Sequence, residues 1–336
     1  MQGQVEGEVM KEVILEGIEI AHPAGFMSLI GLLKVLSRSH IDFKISFQGT
    51  HSTYFPVLHS EFDKTDLKEF LKNLIYEYRG DNEDYLKPGI FRWPFDVHLT
   101  NDKGELFSKD VEWLDELETI LSKKIENCDL KKHFQELYDS YCIKLGTERK
   151  YTLFRMISGK QQLMDSGVKY FDHLRKAKNL DSMIEDWLFQ SWSFDDDESP
   201  LGFDEMAARP FAENRGKPDK IKAQSLPRII TWFCLQGITF YPVCYTNGVS
   251  VTASKLFGTL GFKKVRSNHY FYWPIWDKPI KLEALQEILY LDLEKLSEDA
   301  LKTEKLGIVR VYKSERHAYS KYGYAALTAG ECIYGS

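Results

Sequence analysis

Long hydrophobic runs and paired cysteines are both missing from this chain of 336 residues. No apolar run approaches the roughly 20 residues that a membrane-spanning helix needs, and residues 1–20 carry acids in an alternating pattern unlike a signal peptide. The five cysteines are scattered and form no Cys-x-x-Cys pair, which argues against a disulfide framework or a zinc ribbon. We therefore expect a cytoplasmic protein with no membrane partner.

Familiar catalytic and cofactor motifs are missing as well. The nine histidines form no His-Glu-x-x-His motif and no pair at i,i+4, and there is no Gly-x-Ser-x-Gly elbow. The "SGK" at 158–160 invites comparison with a phosphate-binding loop, but that pattern needs Gly at 154 and Ser or Thr at 161, where this chain has Phe154 and Gln161. We predict that the chain is not an enzyme and needs neither a cofactor nor a metal.

The chain also lacks the overall positive charge that is typical of nucleic-acid-binding proteins, since its formal net charge is −6. The charges are distributed unevenly along the chain. Residues 61–142 contain 20 acidic and 12 basic side chains, whereas 205–269 contain 10 basic and 3 acidic, and 302–321 contain 6 basic and 2 acidic. An acidic helical N-terminal half is thus joined to a basic, loop-rich C-terminal half, and such asymmetry indicates a face that meets a polyanion. The simpler interpretation is a solvated coat of lysines.

Hydrophobic periodicity predicts an α+β fold with mixed sheets. Alternation predicts strands at 12–20, 41–49, 151–157, 238–245 and 269–276. Helical spacing predicts helices at 25–38, 64–79, 109–142, from the turn at 158 to about 178, 180–189, 227–237 and 280–290. A long loop is expected at 191–225, which is rich in Gly, Pro and charge. A soft boundary near 143–150 divides the chain into domains of 1–143 and 144–336, unless the two parts form one continuous domain.

The helix at 25–38 is apolar on nearly all sides. Only Ser28, Lys34, Ser37 and Arg38 interrupt its hydrophobic surface, so we expect it to be largely buried. Gly31 lies within it and would permit the close approach of a neighbouring element.

Three polar segments are candidate contacts for a polyanion. The first follows a Gly turn at the start of a helix, where backbone N–H groups and long polar side chains can hold a phosphate. The second is a basic, turn-rich loop, and the third precedes the aromatic strand 269–276, as in proteins that stack single-stranded bases on rings. The alternatives are an ordinary turn, a mobile loop, and a core strand whose rings are buried. The candidate residues are Lys160, Gln161, Gln162, Arg215, Lys217, Lys220, Lys263, Lys264, Arg266 and Asn268.

An acidic run, "FDDDESP" at 194–200, is the one alternative with catalytic potential. Asp195, Asp196 and Asp197, together with Asp204, would be the ligands of a metal-dependent nuclease or phosphatase, because hard cations such as Mg²⁺ prefer carboxylate oxygens. Adjacent acids in an extended loop cannot all converge on one ion. A solvated acidic turn is therefore the favoured interpretation.

Four stretches, taken in order, resemble one protein family. They are "HPAGFMSLIGLLKVLSR" (22–38), "RMISGKQQLMDSGVKYFDHLR" (155–175), "SWSFDDDESPLGFDEMAARP" (191–210) and "SLPRIITWFCLQGITFYPV" (225–243). Their order and spacing are similar to those of the large-subunit-like proteins of type I CRISPR interference complexes, in the I-G group (formerly I-U). The resemblance covers roughly residues 10–280.

The resemblance implies a non-catalytic subunit of an RNA-guided complex. Its partners would be the other subunits, the guide RNA, target double-stranded DNA and a helicase-nuclease recruited in trans. Such a subunit helps to recognise the short motif that flanks the target, where base edges are read by Arg, Lys, Asn or Gln side chains from loops. A subunit that only bridges other proteins is a further alternative.

Overall fold

The structure, a computed structural model, is an α+β fold, as predicted. Every strand pairing among its described residues is antiparallel, where mixed sheets were expected. The residues that the structure describes are 10–50, 53–77, 110–122, 128–145, 147–156, 163–194, 196, 201–205, 225–245, 257–318 and 325–335.

Helices and strands are interspersed along the chain. The helices are α1 (Pro23–Arg38), α2 (Lys64–Glu77), α3 (Asp110–Ser122), α4 (Cys128–Tyr141), α5 (Leu163–Lys176), α6 (Leu180–Phe189), α7 (Arg228–Ile238), α8 (Leu282–Leu289), α9 (Leu293–Ser297) and α10 (Ala300–Lys305). The strands are β1 (Lys11–Ile14), β2 (Phe43–Thr50), β3 (Thr53–Ser60), β4 (Cys142–Leu145), β5 (Glu148–Tyr151), β6 (Val243–Tyr245), β7 (Phe257–Thr259), β8 (Phe262–Val265), β9 (Asn268–Trp276), β10 (Ile308–Ala318), β11 (Ala325–Leu327) and β12 (Glu331–Tyr334).

Most predicted helices are confirmed, and the exception has a clear cause. The single helix predicted over 109–142 is wrong, because α3 ends at Ser122 and α4 begins at Cys128. The two helices pack against each other. An amphipathic period of 3.6 residues is the same for one long helix and for two helices that fold back, so periodicity alone cannot separate these cases.

The predicted strands at 12–20, 151–157 and 238–245 are shorter or displaced. β1 ends at Ile14, and the apolar residues that follow it are buried in turns rather than in a sheet. β5 ends at Tyr151 and gives way to a turn, while α7 continues to Ile238 and leaves only three residues for β6. These errors occur where apolar residues are buried but not paired in a sheet, because buried turns and buried strands have the same apolar composition. The strands predicted at 41–49 and 269–276 are confirmed as β2 and β9.

Two main sheets organise the molecule. One has the strand order β1-β3-β2, and the other has the order β11-β10-β9-β8, with β12 also paired to β10. The pairs β4-β5 and β6-β7 form small hairpins. The second main sheet contains the buried aromatic strand β9. The position of β9 in this sheet therefore determines where the basic residues that precede it lie.

The helices α1 and α7 cross at two glycines. A Cβ atom added to Gly31 would lie 1.9 Å from the backbone oxygen of Phe233, and one added to Gly237 would lie 2.3 Å from that of Met27. Both distances are far inside van der Waals contact, so backbone meets backbone at this crossing. The predicted burial of the helix and the role of Gly31 in close packing are therefore confirmed.

One hydrophobic core takes residues from both sides of the predicted boundary near 143–150. Phe26 of α1 stacks on Trp273 of β9 with ring centroids 6.1 Å apart. The β4-β5 hairpin lies across the boundary itself. The division into two domains stays a prediction, and this shared core favours the alternative of one continuous domain.

The acidic helices are tied to the basic half by a carboxylate on α3. Glu118 accepts hydrogen bonds from Lys144 at 2.6 Å and from Arg149 at 2.6 Å, and also from the hydroxyl of Tyr138. Partial burial alone would raise the pKa of Glu118, but these three donors lower it from 4.5 to about 2. Part of the acidic charge is thus already balanced within the molecule.

No helix in the described part of the chain is both long enough and apolar enough to cross a bilayer.

Candidate functional site

The structure describes four of the ten candidate residues. These are Lys263, Lys264, Arg266 and Asn268, on and beside the β8-β9 hairpin. The remaining candidates, Lys160, Gln161, Gln162, Arg215, Lys217 and Lys220, lie outside the described residues.

The aromatic strand β9 is a core strand. Phe271 and Trp273 are fully buried, and Tyr272 and Trp276 nearly so. Their rings pack on other aromatic side chains, for example Phe271 on Phe154 at 5.4 Å between centroids. The interpretation of these rings as a stacking surface for bases is therefore wrong, because no face is left for a base, and the core interpretation is confirmed.

The basic residues before β9 lie on a tight hairpin. β8 and β9 pair so that Lys263 lies opposite Tyr270, Lys264 opposite His269, and Val265 opposite Asn268. Successive side chains of a strand point to opposite faces of the sheet. Lys263 and Lys264, although adjacent in sequence, therefore lie on different faces.

On the first face, the polar residues are engaged by carboxylates. The Nζ atom of Lys263 lies 2.6 Å from Glu294 and 3.0 Å from Asp292. Burial alone would lower the pKa of Lys263, but these hydrogen bonds raise it above its ordinary value. On the same face, the side-chain amide of Asn268 donates to Glu315 at 2.8 Å. Lys263 and Asn268 thus have acidic partners within the molecule and are poor contacts for a phosphate.

On the second face, three strands contribute a row of basic side chains. Glu315 of β10 pairs with Tyr270, so the next residue, Arg316, lies opposite His269, which in turn lies opposite Lys264. Directly opposite residues project from the same face of a sheet. The row Lys264, His269 and Arg316 crosses β8, β9 and β10 beside the hairpin turn.

The row is a positive environment for His269. Burial lowers the pKa of His269 below its ordinary value, and the positive charges of Arg316 and Lys264 lower it further. Lys264 is exposed and makes no hydrogen bond or ion pair to any residue that the structure describes. Its charge is available to an external anion.

Arg316 is held by the backbone rather than by an acid. Its Nε atom donates to the carbonyl oxygen of Leu153 at 2.8 Å, and a terminal nitrogen donates to that of Arg155 at 3.2 Å. It has no carboxylate partner in the described ranges, so its charge is oriented but not neutralised. Burial lowers the pKa of Arg316, yet a guanidinium stays charged at neutral pH. Sequence analysis missed this residue, although the basic block 302–321 contains it.

Arg266 occupies the hairpin turn in an unusual conformation. Its φ angle is +55°, in the left-handed region that Gly and Asn adopt most readily. A non-glycine residue in this region costs about 1 to 2 kcal/mol. The side chain is exposed beside the basic row. We define the hairpin end as Lys264, Arg266, His269 and Arg316.

The described acids of the alternative metal site interact with basic side chains. Asp196 accepts two hydrogen bonds from the guanidinium of Arg228, at 2.8 and 2.9 Å, and a third from its backbone N–H at 2.9 Å. Asp204 is buried, with a carboxylate oxygen 3.9 Å from Nε2 of His22. Asp195 and Asp197 lie outside the described residues. Within the described residues, no group of three His, Cys, Asp or Glu side chains converges as a metal site would require.

A scan against models of protein families gives no match to this chain. A search of curated proteins also gives no match.

Proposed function

We propose that this protein binds the sugar-phosphate backbone of a nucleic acid through the hairpin end. The observation that carries this proposal is the row of basic side chains on one face of the sheet, with charges that no described carboxylate balances. Phosphate contacts supply most of the affinity in protein–nucleic acid complexes and do not depend on the base sequence.

The spacing of the row suits a polyanion. Neighbouring strands are about 4.8 Å apart, so Lys264 and Arg316, two strands apart, are separated by about 10 Å at the backbone. The rise of B-DNA along its axis is about 3.4 Å per base pair, so the row is about as long as three base-pair steps. Arg266, which is exposed in the turn beside the row, lengthens this surface.

As the biological form of this activity, we propose a non-catalytic subunit of a type I-G CRISPR surveillance complex. The support is the ordered resemblance of four sequence stretches, together with the row of basic side chains at the hairpin end in the basic half. Isolation of the native complex tests this proposal. We expect a short RNA of uniform length and several further subunits to accompany the chain, and purification of the chain without RNA would contradict it.

Two alternatives are less well supported. For a metal-dependent nuclease, Asp196 is unsuitable because both of its oxygens accept from Arg228. A purely structural subunit would use the hairpin end to contact an acidic protein. Crosslinking from a photoreactive residue at position 264 separates these cases, since a bridge crosslinks to protein and the proposed function requires crosslinks to nucleic acid.

The titration of His269 provides an independent prediction. Bound phosphates would counter the positive field of Lys264 and Arg316 and would favour the charged imidazolium, so the pKa of His269 should rise when an oligonucleotide is added. An NMR pH titration of the His269 ring, assigned with a His269→Gln variant, measures this change. An unchanged His269 pKa at saturating oligonucleotide would place the contact elsewhere.

A further inference from the structure

A cleft of about 580 Å³ opens where α5, α6 and the start of α7 meet. Its volume is within the range of sites that bind small organic ligands. None of its lining residues belongs to the hairpin end. The cleft therefore needs an explanation of its own.

The charged groups at one end of the cleft neutralise each other. Arg228 is paired with Asp196 through two hydrogen bonds, and its third nitrogen lies 2.7 Å from Nδ1 of His173. A guanidinium can only donate, so Nδ1 of His173 must be the acceptor, and the neutral ring carries its proton on Nε2. This chain of contacts cancels the charge of the arginine and leaves one N–H donor, on His173.

The side-chain amide of Asn179 also lines the cleft. Asn179 is the N-cap residue of α6, yet its side chain makes no capping hydrogen bond. Asn at this position usually accepts from the backbone of the first turn. Here the amide is exposed and without a partner in the described part of the chain, so it offers both an acceptor and donors. The carboxylate of Asp186 accepts from Ser182 through one oxygen only, which leaves the other as an acceptor.

The floor of the cleft is apolar. Trp187 and Trp192 are both buried, and their N–H groups are used internally, by Ser28 at 3.3 Å and by the carbonyl of Trp187 at 3.3 Å. Both indoles and Met183 line the cleft. A lining that combines these apolar side chains with the donors and acceptors of His173, Asn179 and Asp186 fits a heterocycle.

We propose that this cleft binds a nucleobase, either as a free nucleoside or nucleotide or as an unpaired base of a chain. A purely apolar ligand would leave the amide of Asn179 unpaired. A simple anion would meet the carboxylate of Asp186, an already neutralised Arg228, and Lys176, which is exposed to solvent and has Asp172 3.9 Å away. A base edge presents donors and acceptors side by side, which an Asn amide can pair with through two hydrogen bonds. The inference stands apart from the hairpin end, because a nucleoside carries no phosphate.

Titration of the intact protein with nucleosides tests the proposal, with the tryptophan fluorescence of the cleft as the signal. The four common ribonucleosides are compared with ribose 5-phosphate and inorganic phosphate. We expect at least one nucleoside to bind with a Kd between about 1 μM and 1 mM. Its nucleotide should bind within about threefold, because Asp196 neutralises Arg228 and the other lining cation, Lys176, is exposed to solvent and lies 3.9 Å from Asp172. A single-stranded oligonucleotide that competes with this nucleoside would identify the base of a chain as the occupant, and an oligonucleotide that does not compete would identify the free ligand.

Variants localise the binding. Asn179→Ala should weaken the nucleoside about tenfold by removing the paired hydrogen bonds. Ser193→Trp should block the cleft, because this exposed residue lines it. Lys178→Ala, on an exposed residue that does not line the cleft, is the matched control and should bind as the wild type does. The absence of saturable nucleoside binding below about 10 mM, equal binding of ribose 5-phosphate, or unchanged binding by Asn179→Ala would each overturn the proposal.

Discussion

Reversal of two charges at the hairpin end, in the double variant Lys264→Glu with Arg266→Glu, should lower the affinity for nucleic acid about 50-fold or more at about 0.1 M salt. Each lost phosphate contact removes the release of nearly one counterion, so the slope of log K against log salt should fall in magnitude by about 2. Fluorescence anisotropy with labelled single-stranded DNA, duplex DNA and RNA over a salt series measures both quantities. Both side chains are exposed, so the stability of the fold should stay within about 0.5 kcal/mol of the wild type.

A charge reversal at a residue far from the hairpin end distinguishes the loss of a local contact from an effect of net charge. Lys278 is also exposed and follows the opposite end of β9, which is about 26 Å away for eight residues of extended strand. Lys278→Glu should leave both the affinity and the salt slope almost unchanged. Equal losses in the two variants would mean that only net charge matters, and the hairpin end would then not be a site.

Replacement of Arg266 by Gly removes the side chain and the backbone strain together. Glycine adopts the φ of +55° without penalty, so Arg266→Gly should unfold at the same denaturant concentration as the wild type or at a slightly higher one. Nucleic acid should nevertheless bind about 5- to 10-fold more weakly at about 0.1 M salt, because one phosphate contact is lost. A variant that is more stable yet binds more weakly shows that the strained turn serves binding. Unchanged binding would mean that Arg266 makes no contact.

The second large effect concerns the crossing of α1 and α7. Gly31→Ala should destabilise the protein by about 3 kcal/mol, because the added methyl group would be placed 1.9 Å from a backbone oxygen of α7. The higher helix propensity of Ala, worth about 1 kcal/mol, offsets only a part of the cost of separating two backbones. Urea unfolding followed by circular dichroism measures the change.

The same helix provides the control for this prediction. Ser37→Ala changes a partly exposed residue of α1 away from the crossing and should stay within about 0.5 kcal/mol of the wild type. Gly237→Ala should be as damaging as Gly31→Ala, since its added methyl group would lie 2.3 Å from the backbone oxygen of Met27. A stable Gly31→Ala protein would show that the two helices can separate without loss of the core.

Local patterns are the part of this fold that the sequence predicts well. The burial of α1 follows from apolar residues on all of its sides, and the span of α6 follows from its own periodicity. The alternation of β9 also predicts a strand, with rings that favour the core. These features depend on neighbours within a few residues, where helical and strand periods differ clearly. Prediction fails where apolar residues are buried without pairing in a sheet, as in the turns after Ile14 and Tyr151.

The sequence alone therefore determines most of the helices, the α+β class and a basic C-terminal half, whereas the tertiary structure decides which basic residues are available. Lys263 and Lys264 are neighbours with the same chemistry. One is neutralised by acids of α9, about 30 positions further along the chain, and the other joins Arg316 of β10 in an unbalanced row. Ion pairing depends on distances of a few ångströms, and these distances are fixed only when remote segments pack together.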